Sequence, residues 1–375
     1  MMREFQGVAV NLLQQMHYAD HLAPISVMMD VPMLFVDPDE EEACKRYYPD
    51  ITTISIDFAD FSPEYLIANY NTFFMSDLWD RDVLKEKFAP LEKRYGKRVR
   101  NVHVPHGFSD KGYYLLKSAR EDITLIYGQN MLDLIASEGY LQELQSYVIC
   151  GNYRYTYYKM HEEYFDNLVN EEVLSRFAKQ QTTIIYAPTW LDIEESTSFF
   201  DGADAILANL PDNYNLIVKL HPRLEEDDTV RYYQITGKYE GRNNITFVSN
   251  FPVIYPLLKH SDIYIGDMSS IGYDYLVFNR PMFFLNKEQR NPKMDRRALL
   301  YLCGIPIVPD QYSNIYTHME ANLSTDAERF SSVREQMYTY TFGASLPFST
   351  IRDNILTACA TEPKWHAKRP IEKTD

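Results

Sequence analysis

The segment NLIVKLHPR places Lys219, His221 and Arg223 at the end of a predicted strand, Asn215–Leu220, and Pro222 stiffens the turn between them. Three potential cations at one strand end suit a pyrophosphate, because they neutralise its charge and stabilise a departing phosphate. The alternative is a surface loop whose charges are incidental.

A pair of hydroxyls, Ser269 and Ser270, follows a second predicted strand, Ile263–Gly266, and starts a predicted helix, Ile271–Asn279. Hydroxyls and free backbone N–H groups at such a turn form an anion site of phosphate size. The alternative is that one serine only caps the helix. Asp267, in the same turn, is predicted to fix the turn by accepting backbone N–H bonds.

A histidine, His106, follows the predicted strand Asn101–Pro105, and Gly107 lets a ligand or the backbone come close to it. An imidazole that titrates near neutral pH is a natural general base for an acceptor hydroxyl. A buried, hydrogen-bonded structural histidine is the competing interpretation.

Two weaker candidates also follow predicted strands. Thr189 stands in an Ala-Pro-Thr-Trp segment and could donate to a phosphate, whereas its neighbour Trp190 could simply belong to the core. Arg154 follows the run Tyr147–Cys150 and could reach toward a ligand. The acidic stretch Asp37–Ala43 is predicted to be an exposed helix start.

All of these segments belong to a regular alternation of short apolar runs and stretches of helical length, such as Trp79–Tyr95, Asp227–Tyr239 and Val253–His260. Apolar strands joined by helices indicate parallel sheets with crossover connections. The runs predicted as strands are Met33–Val36, Thr52–Ile56, Asn101–Pro105, Ile123–Tyr127, Tyr147–Cys150, Thr183–Ala187, Asn215–Leu220, Asn244–Val248, Asp262–Gly266, Pro281–Leu285 and Ile305–Val308.

The order of elements predicts an α/β protein with two doubly wound Rossmann-like domains that face each other across a cleft. A polar, helix-prone stretch around residues 155–180 separates two runs of strand–helix units and is the predicted linker. The predicted domains are an acceptor-side domain at 1–165 and a donor nucleotide-binding domain at 166–345, followed by a C-terminal helix and frayed tail at 346–375. Ligands bind such sheets at the carboxyl ends of their strands.

The composition narrows the function classes. The chain of 375 residues is 45% hydrophobic and 24% charged, which is typical of globular proteins, and its net charge of −16 disfavours binding to nucleic acid. Four cysteines without a CxxC pair favour reduced thiols, and no signal peptide or membrane-spanning run is visible, so we expect a cytoplasmic protein. No GxGxxG, GxxxxGK[ST] or HExxH motif occurs, and neither a cofactor nor a metal is expected.

The ordered set of motifs over roughly residues 100–290 resembles the CDP-glycerol glycerophosphotransferase family of teichoic-acid synthesis, whose members are GT-B-like. The matching pieces are His106-Gly107 with Lys111, Gly151 with Arg154, Pro188-Thr189-Trp190, Lys219-Leu220-His221-Pro222, and S-D-x-x-I-x-D-x-S-S followed by Tyr-Asp and Asn-Arg-Pro. Leu191 and Asp192 stand where the family usually has an arginine after the tryptophan.

The resemblance implies a metal-independent transferase that moves a glycerol-phosphate-like group from a CDP-activated donor to a hydroxyl acceptor and releases CMP. It implies His106 as the catalytic base, and His221, Ser269 and Ser270 as ligands of the donor pyrophosphate. The acceptor can be lipid- or glycan-linked, which leaves peripheral association with the inner face of the membrane open. Two alternatives also remain open: a GT-B nucleotide-sugar glycosyltransferase or epimerase, and a catalytically degenerate nucleotide-binding relative.

Overall fold

The computed structural model describes residues 5–11, 16–77, 81–112, 115–192 and 194–361. The chain forms two compact units, and neither is continuous in sequence. The first unit comprises Met1–Gly107, Gly112–Tyr157 and Thr341–Asp375, and the second comprises Phe108–Lys111 and Tyr158–Tyr340.

The first unit contains a seven-stranded sheet in which every described strand pair is parallel. Its strand order is β3-β2-β1-β4-β5-β6-β7. The strands are β1 (Gly7–Val10), β2 (Met33–Phe35), β3 (Thr53–Ser55), β4 (Thr72–Met75), β5 (Arg100–His103), β6 (Ile123–Ile126) and β7 (Tyr147–Ile149). The helices are α1 (Met16–Met29), α2 (Pro38–Tyr47), α3 (Pro63–Asn69), α4 (Arg81–Tyr95), α5 (Leu115–Ala119), α6 (Gln129–Ser137) and α7 (Tyr153–Met160), which runs into the second unit.

The second unit contains a six-stranded parallel sheet with the order β10-β9-β8-β11-β12-β13. The strands are β8 (Thr182–Ala187), β9 (Tyr214–Lys219), β10 (Ile245–Val248), β11 (Ile263–Gly266), β12 (Met282–Leu285) and β13 (Ile305–Ile307). The helices are α8 (Glu162–Glu172), α9 (Phe199–Ala208), α10 (Arg223–Asp227), α11 (Thr229–Tyr239), α12 (Ile254–Lys259), α13 (Ser270–Tyr275) and α14 (Ile315–Phe342), and α15 (Phe348–Ala360) follows in the first unit. Short 3₁₀ helices occupy Phe58–Asp60, Leu141–Glu143, Leu174–Arg176, Leu276–Phe278, Arg296–Cys303 and Pro309–Asn314.

The central strands are buried on both faces, as expected when helices cover both sides of a parallel sheet. The strand β9 (YNLIVK) is buried along its whole length, and β11 aligns Ile265 with Tyr186 of β8. One apolar core fills the second unit around Ile184, Leu216 and Phe283. The first unit has a core of its own around Val8, Phe73 and Phe88.

Local chemistry explains where several helices begin and end. The helix α2 starts where the acidic stretch predicts a helix: the Asp37 side chain accepts from the Asp39 N–H, and Pro38 occupies the first turn. Asp228 caps α11 by accepting from the Arg231 N–H, so α11 begins within two residues of the helix predicted over 227–239, and the short helix α10 before it was not predicted. The helix predicted over 271–279 is α13 plus a 3₁₀ turn that ends at Asn279 in the left-handed region.

All eleven strands predicted from the sequence overlap observed strands, but two observed strands, β1 and β4, were not predicted. These two strands pair with each other in the middle of the first sheet, Val8 opposite Phe73. All four cysteines are free thiols, as expected.

Candidate functional site

The predicted phosphate-binding residues lie at the carboxyl edge of the second sheet. The chain winds outward from β8 through β9 to β10, then returns to place β11 against the other side of β8. Ligands of doubly wound sheets bind at this reversal of strand order. Thr189 follows β8, Lys219 ends β9 and His221 comes just after it. Ser269 and Ser270 follow β11, so the fold brings these segments to one edge.

His221 is fixed by its own loop. Its Nδ1 accepts a hydrogen bond of 3.2 Å from the backbone N–H of Arg223. The lone pair of Nδ1 is therefore occupied, so a neutral ring carries its proton on Nε2. His221 thus presents a donor N–H at Nε2 without needing to be charged.

Trp190 and Arg223 flank this histidine. The ring centroids of Trp190 and His221 are 6.2 Å apart, and the Arg223 guanidinium lies over the Trp190 ring at 3.9 Å from its centroid. The Leu191 N–H donates to Asp227 Oδ2 at 2.8 Å, which ties the loop after β8 to the helix α10. A cation stacked on an indole is held in a narrow range of positions. The arrangement keeps a positive charge close to His221.

Lys219 is the other cation of this strand end. Its side chain is buried, and its Nζ lies 3.5 Å from the carbonyl oxygen of Leu220. A buried ammonium retains strong donor capacity toward an anion, because few water molecules compete for it.

Ser269 occupies the position before the helix α13, with an extended backbone (φ −152°), but its side chain does not cap the helix. Its Oγ instead lies 3.5 Å from the Tyr264 hydroxyl. Ser269 and Ser270 are both half-buried. The alternative considered from the sequence, that this serine only caps the helix with its side chain, is therefore wrong for Ser269.

Asp267 accepts backbone N–H bonds, but not from its own turn. Its Oδ2 accepts from the N–H of Thr189 at 2.8 Å and from the N–H of Ser198 at 3.0 Å. Burial raises the pKa of this carboxyl to about 6, against hydrogen bonds from Ser198 and Thr189 that lower it. The sequence pattern carries no sign of these partners, because they lie 69 and 78 positions away.

His106 lies at the carboxyl edge of the first sheet, after β5. Its Nδ1 is 3.4 Å from the carbonyl oxygen of Ser76, which follows the neighbouring strand β4. A carbonyl can only accept, so Nδ1 carries the proton and Nε2 keeps the lone pair. Burial lowers the pKa of His106 below its ordinary value of 6.5. The ring of Tyr18 packs against it, with the centroids 5.1 Å apart.

Tyr127, at the end of β6, holds the His106 loop in place. Its hydroxyl donates to the carbonyl of Pro105 at 2.9 Å and accepts from the N–H of Gly107 at 3.2 Å. Gly107 has φ +108°, a conformation that favours glycine. The sequence predicted the glycine but gave no signal for the tyrosine.

The two remaining predicted cations are in buried ion pairs. Arg154 pairs with Asp20 in the first unit, and Asp20 also accepts from Tyr48 at 3.4 Å. In the second unit, Lys111 pairs with Asp192 at 2.5 Å and donates to Ser196 at 2.8 Å. Although burial favours the protonated acid, the Lys111 charge and these hydrogen bonds hold the pKa of Asp192 below its usual value.

Lys111 belongs to the segment Phe108–Lys111, which is anchored in the second unit. Asp110 is fully buried and accepts from Tyr273 at 2.7 Å, from Arg296 at 2.8 Å and from the N–H of Leu300 at 3.1 Å. Burial nevertheless raises the pKa of Asp110. Nothing in the sequence signals this network, because the partners of Asp110 lie 163 to 190 positions away.

Within the described ranges, no group of three or more His, Cys, Asp or Glu side chains is placed to hold a metal ion. No helix in the described part of the chain combines the length and apolar character that crossing a bilayer requires.

A family model described as CDP-glycerol:poly(glycerophosphate) glycerophosphotransferase matches residues 116–340, which is more than half of the chain. The chain belongs to this family. Among its curated relatives, a teichoic acid glycerol-phosphate primase of Bacillus spizizenii is 32% identical over 157 residues, covering 40% of this chain and 39% of the relative. A primase of the same description from Bacillus subtilis is 29% identical over 107 residues, covering 28% and 26%.

The matches cover between 16% and 39% of the length of these curated family members. Solved structures extend the likeness over nearly the whole chain. One of the wall teichoic acid polymerase TagF has a TM-score of 0.64 at 16% identity and covers 94% of this chain and 88% of its own. A Staphylococcus aureus MnaA–UDP structure reaches 0.60 at 13%, covering 96% and 99%. These likenesses confirm the predicted α/β, GT-B-like fold.

Proposed function

We propose that this member of the glycerophosphotransferase family moves a glycerol-phosphate-like, phospho-polyol group from a CDP-activated donor to a hydroxyl acceptor, and releases CMP. Family membership supports the reaction class. The names of the relatives, teichoic acid glycerol-phosphate primase and poly(glycerol phosphate) polymerase, support the transferred group. A TagF structure obtained after a soak with CDPG supports the donor.

The observation that carries the proposal is the opposite hydrogen bonding of the two histidines. His106 donates from Nδ1 to the Ser76 carbonyl and keeps its Nε2 lone pair, as a base must. His221 accepts at Nδ1 and keeps its proton on Nε2, as a donor to an anion must. One reaction needs both roles: loss of a proton from the acceptor and gain of charge on the leaving phosphate.

In the proposed step, the acceptor oxygen attacks the donor phosphorus that bears the polyol. The new O–P bond forms as the bond from that phosphorus to the bridging oxygen breaks, and CMP departs with the electron pair. The acceptor proton passes to Nε2 of His106. The charge that develops on the departing phosphate is stabilised by His221 and Lys219, in keeping with electrostatic catalysis by groups that are already in place.

The remaining donor-phosphate ligands in this proposal are Ser269, Ser270, Thr189 and Arg223. The serine hydroxyls follow β11 at the reversal of strand order, and the Ser269 side chain is not used as a helix cap. Arg223 supplies a cation held on Trp190. Gly107 follows His106 with a positive φ and donates its N–H to Tyr127, and the proposed reaction uses no metal.

The acceptor in this proposal is a hydroxyl on a lipid- or glycan-linked molecule. The protein would then work in the cytoplasm and meet its acceptor as a peripheral protein at the inner face of the membrane. Sedimentation with vesicles that contain a lipid-linked glycan acceptor, compared with vesicles that lack it, tests this part independently of catalysis.

The central test is CMP release from CDP-glycerol across a panel of hydroxyl acceptors. We expect turnover by the wild-type chain and a loss of at least about 10²-fold in His106→Ala and in His221→Ala, with circular dichroism spectra of both variants that match the folded wild type. His318→Ala, on α14, is a matched control that should keep wild-type turnover. Near-normal turnover by both site variants would reject the proposal.

Donor class is tested separately by thermal shift with CDP-glycerol and UDP-sugars. A ligand at one hundred times its dissociation constant stabilises a protein by about 2.7 kcal/mol. We expect this stabilisation with CDP-glycerol. Strong stabilisation by UDP-sugars with none by CDP-glycerol would favour a nucleotide-sugar enzyme instead.

A further inference from the structure

The Asp267 carboxylate follows β11 at the edge of the second sheet and is buried: only 1% of the residue's surface is exposed. One of its oxygens, Oδ2, accepts both the Thr189 N–H and the Ser198 N–H. Thr189 belongs to the loop after β8, and Ser198 is the residue before the helix α9. A single oxygen atom thus joins the ends of two strands and the start of a helix.

The Thr189 backbone is fixed from both sides. Its N–H donates to Asp267, and its carbonyl accepts from the Thr197 hydroxyl at 2.7 Å. Trp190, the next residue, stacks with Arg223 and lies beside His221. On the other side, Ser269 is only two residues beyond Asp267. The Thr189 loop therefore contacts both sides of the site: Asp267 after β11, and, through Trp190, His221 and Arg223 after β9.

The second oxygen of Asp267 indicates that burying this carboxylate costs free energy. Oδ1 is buried and makes no hydrogen bond to any described residue, and the same is true of the Tyr312 hydroxyl. Burying a carboxylate away from water costs free energy that its hydrogen bonds must offset, and here one of the two oxygens accepts both backbone bonds.

The opposite end of the same strand shows how such a link is made without burial. Asp262, just before β11, accepts from the N–H of Thr183 on β8 at 2.8 Å. Asp262 is exposed, whereas Asp267 is not. The strand pair β8–β11 is therefore joined by a carboxylate at each end. Only the carboxylate at the ligand-binding edge is shielded from water.

We propose that Asp267 is a positioning residue for the donor-phosphate site: it holds the loop of Thr189 in register with Ser269 and Ser270 without touching the substrate. This inference rests on the proposed function, because it assigns the same site. It adds a residue that influences donor binding only by holding the backbone of Thr189 and Ser198 in place.

The test compares Asp267→Ala, Asp267→Asn and Asp262→Ala by isothermal titration with CDP. Asp267→Ala removes the acceptor of two backbone N–H groups and should weaken CDP binding by about tenfold. Asp267→Asn keeps one acceptor oxygen and should stay within about threefold of wild type. Asp262→Ala loses the same kind of bond at the other end of the strand and should bind CDP like wild type.

Steady-state kinetics separate positioning from general loss of structure. In Asp267→Ala the KM for the donor should rise with the CDP dissociation constant, while the KM for the acceptor stays unchanged. Equal CDP affinity in Asp267→Ala and wild type would overturn the inference, and so would equal losses in Asp267→Ala and Asp262→Ala. No binding of CDP to the wild-type chain would instead count against the proposed function.

If Asp267→Ala does not fold, Asp267→Asn and Asp267→Glu carry the test. Asparagine keeps an acceptor at the same distance from the backbone, whereas glutamate moves the carboxylate by one methylene group. We expect CDP to bind more tightly to the asparagine variant than to the glutamate variant. Equal affinities for both variants and wild type would overturn the inference.

Discussion

The loop after β5 and the loop after β9 each carry a histidine at the carboxyl edge of a parallel sheet, yet the two rings are held in opposite ways. His106 turns Nδ1 toward a carbonyl that follows the neighbouring strand β4. His221 turns Nδ1 toward an N–H only two residues further along its own loop. The first ring depends on a strand partner 30 positions away, and the second depends on local geometry.

This difference shows that the chemical role of a histidine is set by what its other nitrogen contacts, not by its place in the fold. A carbonyl partner leaves a lone pair for proton abstraction, and an N–H partner leaves a proton for donation. The two sequence motifs, His-Gly and Lys-Leu-His-Pro, do not reveal this difference. The same substitution made at both positions is therefore an informative experiment.

The largest effect is expected for His106→Gln. The amide oxygen of glutamine can accept a hydrogen bond but cannot take a proton at neutral pH, so the proposed general base is lost. General acid–base catalysis contributes about 10²–10⁴-fold, and we expect kcat to fall within that range. CMP release under saturating donor measures it. A fall of less than tenfold would show that His106 is not the base.

A smaller effect is expected for His221→Gln. The amide N–H₂ of glutamine can replace the Nε2–H donor, so we expect a fall in kcat/KM of about tenfold. Removal of the donor in His221→Ala should cost on the order of 10²–10³-fold. The ratio of the kcat/KM values of His221→Gln and His221→Ala, measured side by side, tests whether His221 donates a hydrogen bond. If glutamine proves no better than alanine, His221 acts through a charge or a proton transfer instead.

Tyr127→Phe removes the hydroxyl that bridges Pro105 and Gly107. Each neutral hydrogen bond is worth about 1 kcal/mol, so a fall in kcat of about fivefold is expected as the His106 loop loosens. Tyr95→Phe, which removes a hydroxyl that donates to Glu64, serves as the control. CDP affinity should be unchanged in both variants, and a loss of CDP affinity in Tyr127→Phe would contradict the assignment of this tyrosine to the His106 loop.

The smallest effect is expected from pH. Burial lowers the pKa of His106 below 6.5, so the ring is already neutral, and competent as a base, at pH 7. Between pH 7 and pH 8, kcat should therefore rise by less than about twofold, with its acid limb below pH 6.5. A pH profile of CMP release measures the limb. A midpoint above pH 7 would show that His106 is not the titrating base.

Much of the fold could be predicted from local pattern. Apolar runs such as TTIIYA and YNLIVK predicted the strands β8 and β9. They also predicted the edge of the sheet at which the residues after each strand lie. The strand β1 escaped because GVAV contains Gly and Ala, which have low strand propensity, whereas nothing in TFFM distinguishes β4 from the strands that were predicted. Their strand character comes from burial between other strands, which is a long-range property.

The residue types of the candidate site could be predicted from the sequence, but their hydrogen bonds and ion pairs could not. Lys111 and Arg154 looked available for a ligand, and the structure places each of them in a buried ion pair. Their partners, Asp192 and Asp20, are 81 and 134 positions away, a distance over which spacing gives no information about contact. Asp267 was assigned to its own turn for the same reason.

The division of the chain between its two units has a consequence for synthesis on the ribosome. The residues from Thr341 onward belong to the first unit, where Thr341 packs so closely on Gly128 that an added Cβ would lie 2.5 Å from its carbonyl oxygen. Phe342 lies edge-on to Tyr127, the residue that holds the His106 loop. Translation therefore delivers every strand of the second unit before the last part of the first one emerges. The first unit is therefore the first to begin emerging and the last to be complete. Its contact between Phe342 and Tyr127, next to the His106 loop, can form only late in synthesis.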